Sequence, residues 1–159
     1  MVNPPSEQAV MVDRARKWRN VALLSLAELL AMTLWFSASA VVPQLTKVWN
    51  LSGSEQSWVT MSVQLGFVTG ALVSAALNLA DRIPGRLFFG LSAFAGAALN
   101  AAIPLLHVGI YPAITLRFLT GVTFAGVYPP GMKLIATWCK KDRGLGIGIL
   151  VGALTAGSA

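Results

Sequence analysis

Long apolar runs separated by short polar stretches organise the chain. The run from Asn20 to Pro43 contains one charge, Glu28, and the run from Gln56 to Ala80 contains none. A third stretch begins at Leu87, and Pro104, Gly109 and Pro112 punctuate it around His107. Such residues mark a chain reversal, so the stretch divides into two segments, 87–106 and 111–138. A fifth run opens at Gly144 and is still apolar at Ala159. A helix rising about 1.5 Å per residue needs roughly 20 apolar residues to cross a hydrocarbon core of about 30 Å. The pattern therefore predicts an all-α integral membrane fold. Behind a polar leader, residues 1–19, it has four full transmembrane helices (20–43, 56–80, 87–106 and 111–138) and an incomplete fifth (144–159). The fifth would be only about 24 Å long and ends without a polar flank. The expectation is that this is the N-terminal piece of a longer protein.

Composition supports that reading. Hydrophobic residues make up 55% of the 159, charged residues 11%, and mean hydropathy is +0.67. Soluble domains carry about 25% charge, so a soluble enzyme, a disordered tail and a collagen-like fibre are excluded. The first apolar run is too long for a cleavable signal peptide, and no soluble domain follows it. A net charge of +6 raises the question of nucleic acid. The positions of the charges answer it, because they flank apolar runs as topological anchors do. Arg14, Arg16, Lys17 and Arg19 precede the first run, Arg82 and Arg86 follow the second, and Lys133, Lys140, Lys141 and Arg143 surround the end of the fourth. Lys47 alone lies in the alternate loops. The imbalance predicts a cytoplasmic N-terminus. Trp18, Trp49, Trp58 and Trp138 fall at segment ends, where interfacial aromatics belong.

Two charges remain inside the apolar runs, Glu28 and Arg117. Intramembrane charges cost roughly 2.5–3.5 kcal/mol each on insertion scales and mark a pathway or a pair. Helical spacing puts Ser25, Met32, Trp35 and Ser39 on the Glu28 stripe, and Ala113, Thr120, Phe124 and Tyr128 on the Arg117 stripe. Thr60 and Gln64 share a face of the second segment. The two charges differ in depth by roughly 9 Å, which leaves two readings open: a structural ion pair, or separate cavity-lining groups that handle protons or an anionic substrate. Trp35, Gln64 and Tyr128 join them as cavity candidates. Gly66 with Gly70, and Gly148 with Gly152, are small-xxx-small pairs that predict close helix packing. His107 reads as a solvated loop histidine and Cys139 as an inert free thiol. No metal-ligand spacing, phosphate loop or nucleophile–base set is present, so neither a cofactor nor an enzymatic activity is expected.

The loop after the second segment reads Leu79-Ala80-Asp81-Arg82-Ile83-Pro84-Gly85-Arg86. It resembles the G-x-L-A-D-R-x-G-R signature of the major facilitator superfamily, with Leu77 at the first glycine and Gly85-Arg86 one residue late. Arg117 with Gly121 and Gly126 resembles the superfamily's fourth helix, and the glycine-rich run from Arg143 to Gly157 its fifth. The Leu-Trp-Phe-Ser-Ala-Ser and Val-Tyr-Pro-Pro-Gly-Met-Lys stretches are similar to bacterial cyanate- and nitrate-type permeases. The resemblance implies a secondary transporter of a small solute in a bacterial cytoplasmic membrane. It would work by alternating access between two six-helix halves, with protons and the missing half of its own chain as partners. It also implies that Asp81, Arg82 and Arg86 latch one conformation, that Arg117 faces the cavity, and that Gly121 and Gly126 pack helices. The alternative is a small helical membrane subunit that transports nothing by itself.

Overall fold

In a computed structural model, residues 7–106, 109–139 and 142–156 are described, with side chains from Arg14 onward except those of Ala38, Ser39, Val41 and Leu154. The expectations for His107, Lys140, Lys141, Gly157 and the Ser39 side chain therefore lie outside the described residues. Among the described residues seven helices follow one another: α1 (Glu7–Trp49), α2 (Gly53–Ala76), α3 (Leu79–Arg82), α4 (Gly85–Leu105), α5 (Ile110–Phe124), α6 (Tyr128–Trp138) and α7 (Arg143–Ala156). No strand occurs among the described residues, and the fold is all-α as expected. Among the described residues four stretches are long and apolar enough to cross a membrane: 14–49, 53–76, 85–105 and the combined 110–138.

The boundaries differ from the apolar runs for local reasons. The described part of the leader, 7–19, does not precede a helix but belongs to one, since α1 runs unbroken for 43 residues. No glycine or proline falls between Glu7 and Val42 to interrupt it, and the leader is rich in good helix formers. Asn50, at a left-handed φ of 51°, stops it. Helix α2 starts earlier than the apolar run because Ser52 and Glu55 form a capping box, with the Glu55 amide donating to Ser52 Oγ at 3.3 Å and the Ser52 amide to Glu55 Oε2 at 2.9 Å. It also ends earlier, at Ala76 rather than at 80. Asn78 takes a left-handed turn (φ 51°) that a short polar side chain tolerates. Asp81 and Arg82 consequently sit on the separate single turn α3.

The expected fourth segment is two helices. Pro129 and Pro130 bring no amide hydrogen, so the carbonyls of Ala125 and Gly126 lose their helical donors. The chain crosses this point by tight i→i−3 turns, from Ala125 to Val122, Gly126 to Thr123 and Val127 to Phe124, and α6 resumes beyond.

Helix packing has two centres. Helix α2 lies along α5 in the most extensive contact of the bundle. Residue 66 meets 118 and residue 70 meets 122, so the two helices run parallel. Helix α1 contacts α7, α6 and α2, while α4 covers α5 and α6. Val21, Ser25, Glu28, Ala31 and Met32 form the buried face of α1, and Leu23, Leu26 and Leu30 point outward, as lipid-facing residues should. Lys17 bonds Asp142 at 2.5 Å, and Lys133 bonds Asp81. These contacts gather the start of α1, α3 and the α6–α7 junction at one end of the bundle, together with most of the basic residues.

Candidate functional site

Two apolar clusters flank Glu28. Below it, Val21, Ile135, Cys139 and Leu150 join α1, α6 and α7. Above it, Ala31 and Met32 pack with Phe124 and Val127. Between them the Glu28 side chain is completely buried, and neither carboxyl oxygen has a hydrogen-bond partner among the described residues. Its neighbour across the interface is Gly131 of α6, where an added Cβ would lie 3.0 Å from Glu28 Oε2 and 3.5 Å from the ring of Phe89. A side chain at this position would press on the end of the Glu28 side chain, which would have to give by a few tenths of an ångström. One turn earlier, Ser25 Oγ is also buried and has no partner among the described residues. The expected Glu28 stripe thus holds for Ser25, Glu28 and Met32, with Trp35 half-buried at its end.

Arg117 is completely buried as well, but both of its terminal nitrogens are bonded, and only Nε lacks a partner among the described residues. Nη1 donates to the Leu34 carbonyl at 3.0 Å and to Asn100 Oδ1 at 3.1 Å, and Nη2 donates to the Trp35 carbonyl at 2.5 Å. Ser37 Oγ lies 2.8 Å from the Leu34 carbonyl and 3.2 Å from Asn100 Oδ1, completing a network that ties α1, α4 and α5 together. Each helical carbonyl has a second lone pair that an arginine can use without breaking the helix. Arg117 and Glu28 are not paired. Leu34 lies six residues beyond Glu28 on α1, a separation of about 9 Å. The vertical offset read from the apolar runs survives, and the ion pair weighed there does not form in this arrangement.

Trp35 packs edge-on to Phe67 (5.4 Å between centroids) and Phe124 (5.6 Å), so it fills the junction of α1, α2 and α5. Gln64 is not beside it. The α2 face turned inward carries Val59, Val63, Gly66 and Gly70, because those glycines are needed against α5, and Gln64 is left exposed. Tyr128 is half-buried and does not continue the Arg117 stripe, which ends with Phe124 where the prolines break the helix.

Among the glycines, Gly66, Gly70 and Gly121 hold two backbones together. A Cβ on Gly66 would enter the Phe118 carbonyl, one on Gly121 the Val63 carbonyl, and one on Gly70 would stand 2.6 Å from the Val122 carbonyl. Gly126 instead lies against a side chain, that of Ser92. Gly148 and Gly152 do not pack: a Cβ at either would meet nothing within 4 Å, since α7 turns another face to α1 and α6. The glycine that works there is Gly146, where a Cβ would lie 2.6 Å from Cys139 Sγ. The Gly144-x-Gly146-x-Gly148 run offers two faces, Gly144 and Gly148 on one and Gly146 on the other, and spacing alone does not choose between them.

In the expected latch, Asp81 pairs with Lys133 of α6, while Arg82 and Arg86 are exposed. Lys133 Nζ also reaches the Ala80 carbonyl at 3.4 Å. The lysine's hydrogen bond and charge hold the Asp81 carboxyl below its ordinary value of 3.8. In the sequence Lys133 is legible only as a snorkelling cation and Asn100 not at all, although an amide in the middle of an apolar run is the signal for it. No group of residues suited to a metal ion occurs among the described residues.

Residues 24–159 match the sequence profile of the Major Facilitator Superfamily. Efflux pump FUB11 of Gibberella moniliformis is 32% identical over 164 residues, an alignment that takes in 97% of this chain and 26% of that protein. The chain therefore spans about a quarter of the length of that relative. No solved structure matches it significantly.

Proposed function

Since the chain belongs to the Major Facilitator Superfamily, we propose that the protein acts as a secondary transporter of a small molecule. In this reading it works by alternating access, and this chain supplies the first helices of one half. The matched relative is an efflux pump, which favours export. It lends no support to the cyanate- and nitrate-type likeness, nor to the bacterial membrane that likeness implied. The positive-inside imbalance favours a cytoplasmic N-terminus.

One observation carries the mechanistic part: a carboxyl group, Glu28, completely buried between apolar clusters and bonded to none of the described residues. A membrane protein keeps such a group at a cost, and that cost is explained if the group binds and releases a proton during the cycle. Arg117 has the weaker claim on transport chemistry. Three of its donor contacts are spent on Leu34, Trp35 and Asn100, so the argument for an anionic solute loses its cation. Arg117 acts instead as the brace that holds α1 against α4 and α5.

The test is transport by the full-length protein in proteoliposomes under an imposed pH gradient, with a panel of cationic, neutral and anionic fluorescent dyes. The expected result is gradient-driven movement of at least one dye that Glu28→Gln makes insensitive to the gradient. Unaltered gradient dependence in Glu28→Gln would overturn the assignment.

A further inference from the structure

Glu28 shares its stripe of α1 with a second buried polar group that makes no bond. Ser25, one turn earlier, is 6% exposed, and its hydroxyl has no partner among the described residues. A serine or threonine inside a helix can turn its hydroxyl back to a carbonyl three or four residues earlier. On α1 itself Thr33, Ser37 and Thr46 do so, bonding the carbonyls of Leu30, Leu34 and Val42. The two other hydroxyls buried among the described residues, those of Ser62 and Thr120, do so as well. Ser25 does not, so three unbonded oxygens, Ser25 Oγ with Glu28 Oε1 and Oε2, are gathered on one stripe. Three residues of helix separate the two side chains by about 4.5 Å along the axis. That is too far for a direct hydrogen bond and within the span of two bonds of about 2.8 Å each that meet at one oxygen atom.

We propose that Ser25 and Glu28 together bind one water molecule, which links the hydroxyl to the carboxyl. The proposal rests on the reading of Glu28 as a proton-binding group and adds the ligand that makes both protonation states tenable inside the bundle. A buried water makes about three hydrogen bonds to otherwise unbonded polar groups, and three such oxygens are present. A hard metal cation takes about six oxygen ligands, so the same set does not make a cation shell. Nor does a basic side chain fill the role. Arg117 is bonded to Leu34, Trp35 and Asn100, Lys133 to Asp81, and Lys17 to Asp142. The remaining surroundings, Val21 and Ile135 on one side, Ala31 and Met32 on the other and Phe89 beside Gly131, are apolar. A hydroxyl, like a water, both donates and accepts. When Glu28 is ionised, Ser25 donates to the water and the water to the carboxylate. When Glu28 is protonated, the carboxyl donates to the water and the water to Ser25 Oγ. The chain of bonds reverses without displacing a heavy atom, which a lysine or arginine would not allow, since those groups only donate. Ser25 is a positioning residue, since it acts on the carboxyl through the water.

The water site is tested by infrared difference spectroscopy between acidic and neutral buffer on the full-length protein in lipid, with ordinary and heavy-oxygen water as the probes. The carboxyl band is identified by its loss in Glu28→Gln. In the wild type an O–H stretching band should accompany it and shift to lower frequency in heavy-oxygen water. Ser25→Thr and Ser25→Val introduce the same shape and differ in the hydroxyl alone. Ser25→Thr should keep the water band and the position of the carboxyl band. Ser25→Val should lose the water band and move the carboxyl band to higher frequency, because a hydrogen bond to a carboxyl lowers its stretching frequency. Ser25→Ala should do the same and covers the case in which the bulkier pair folds poorly. If the wild type shows no carboxyl band that Glu28→Gln removes, the reading of Glu28 as a proton-binding group fails and the water site with it. If that band is present but no band responds to heavy-oxygen water, or if Ser25→Val and Ser25→Ala match the wild type, the water site alone is overturned. Loss of the carboxyl band when sodium chloride replaces choline chloride would assign the oxygens to a metal cation and overturn it as well.

Discussion

The α2–α5 and α1–α6 interfaces sit side by side and are built on opposite principles. Between α2 and α5, glycines bring backbone onto backbone, with Gly66 against Phe118 and Gly121 against Val63, and the buried residues there are Val59, Val63 and their small neighbours. Between α1 and α6 a single glycine approaches a side chain, not a backbone, and that side chain is an unbonded carboxyl among the described residues. The first interface has no room to change and nothing to gain by changing. The second holds a group whose energy falls when the interface opens to water or when the group takes up a proton. These two interfaces are thus distinguished by what their glycines touch.

The largest effect that would break this contrast comes from the glycines of the rigid side. Gly121→Val or Gly66→Val should prevent folding or cost more than the roughly 1–3 kcal/mol of ordinary overpacking, because the new atoms meet backbone that cannot yield. Thermal unfolding in detergent measures it. A change of less than about 1 kcal/mol would mean that α2 and α5 are not in fixed contact.

Next in size is Arg117→Gln, which removes three charge-assisted hydrogen bonds. Bonds to charged groups contribute about 1.5–3 kcal/mol each, but a glutamine can keep one of the three and no longer buries a charge, so stability should fall by about 2–3 kcal/mol. Arg117→Lys should recover part of this, since a lysine reaches one carbonyl but not the fork of three. An unchanged melting temperature in Arg117→Gln would show that the brace is not structural.

Glu28→Gln should do the reverse of Arg117→Gln. The carboxyl makes no bond to any described residue, so the change should leave stability within about 0.5 kcal/mol while abolishing the dependence of transport on the pH gradient. A loss as large as that of Arg117→Gln would place Glu28 in the framework and erase the distinction between the two interfaces.

The smallest effect belongs to the Asp81–Lys133 pair. Asp81 is solvent-exposed and held below its ordinary value of 3.8 by Lys133. A lowered carboxyl contributes its stability above that value and loses it as the pH falls through the lower folded-state value. Stability from this pair should therefore be flat across neutral pH and decline only below about 4. Asp81→Asn should remove that decline in a pH series of melting temperatures. A decline that persists in Asp81→Asn would assign it to another group.

Much of the bundle is readable from the chain, and the failures have physical causes. The spans, the all-α architecture and the basic end follow from hydrophobic run length and charge position, which bilayer thickness and backbone hydrogen bonding control directly. The buried stripes through Glu28 and Arg117 follow from helical periodicity and hold as far as Phe124. They fail at Tyr128, because two consecutive prolines reset the helical phase. Gln64 fails because periodicity defines faces without saying which face meets a neighbour, and the glycines have the stronger claim. The partner of Asp81 escapes the sequence for the same reason. Two arginines close in sequence look sufficient, whereas the lysine that reaches it comes from α6, 52 residues away.

The most direct test of the contrast is a pair of distance distributions from double electron–electron resonance on the full-length protein in lipid. One spin-label pair goes on exposed positions of the rigid side, Leu65 and Leu119, and the other on Leu23 and Thr137 across α1 and α6. Between neutral and acidic buffer the first distribution should stay fixed. The second should shift in the wild type and cease to shift in Glu28→Gln. A second distribution that never moves, or that moves equally in Glu28→Gln, would contradict the account.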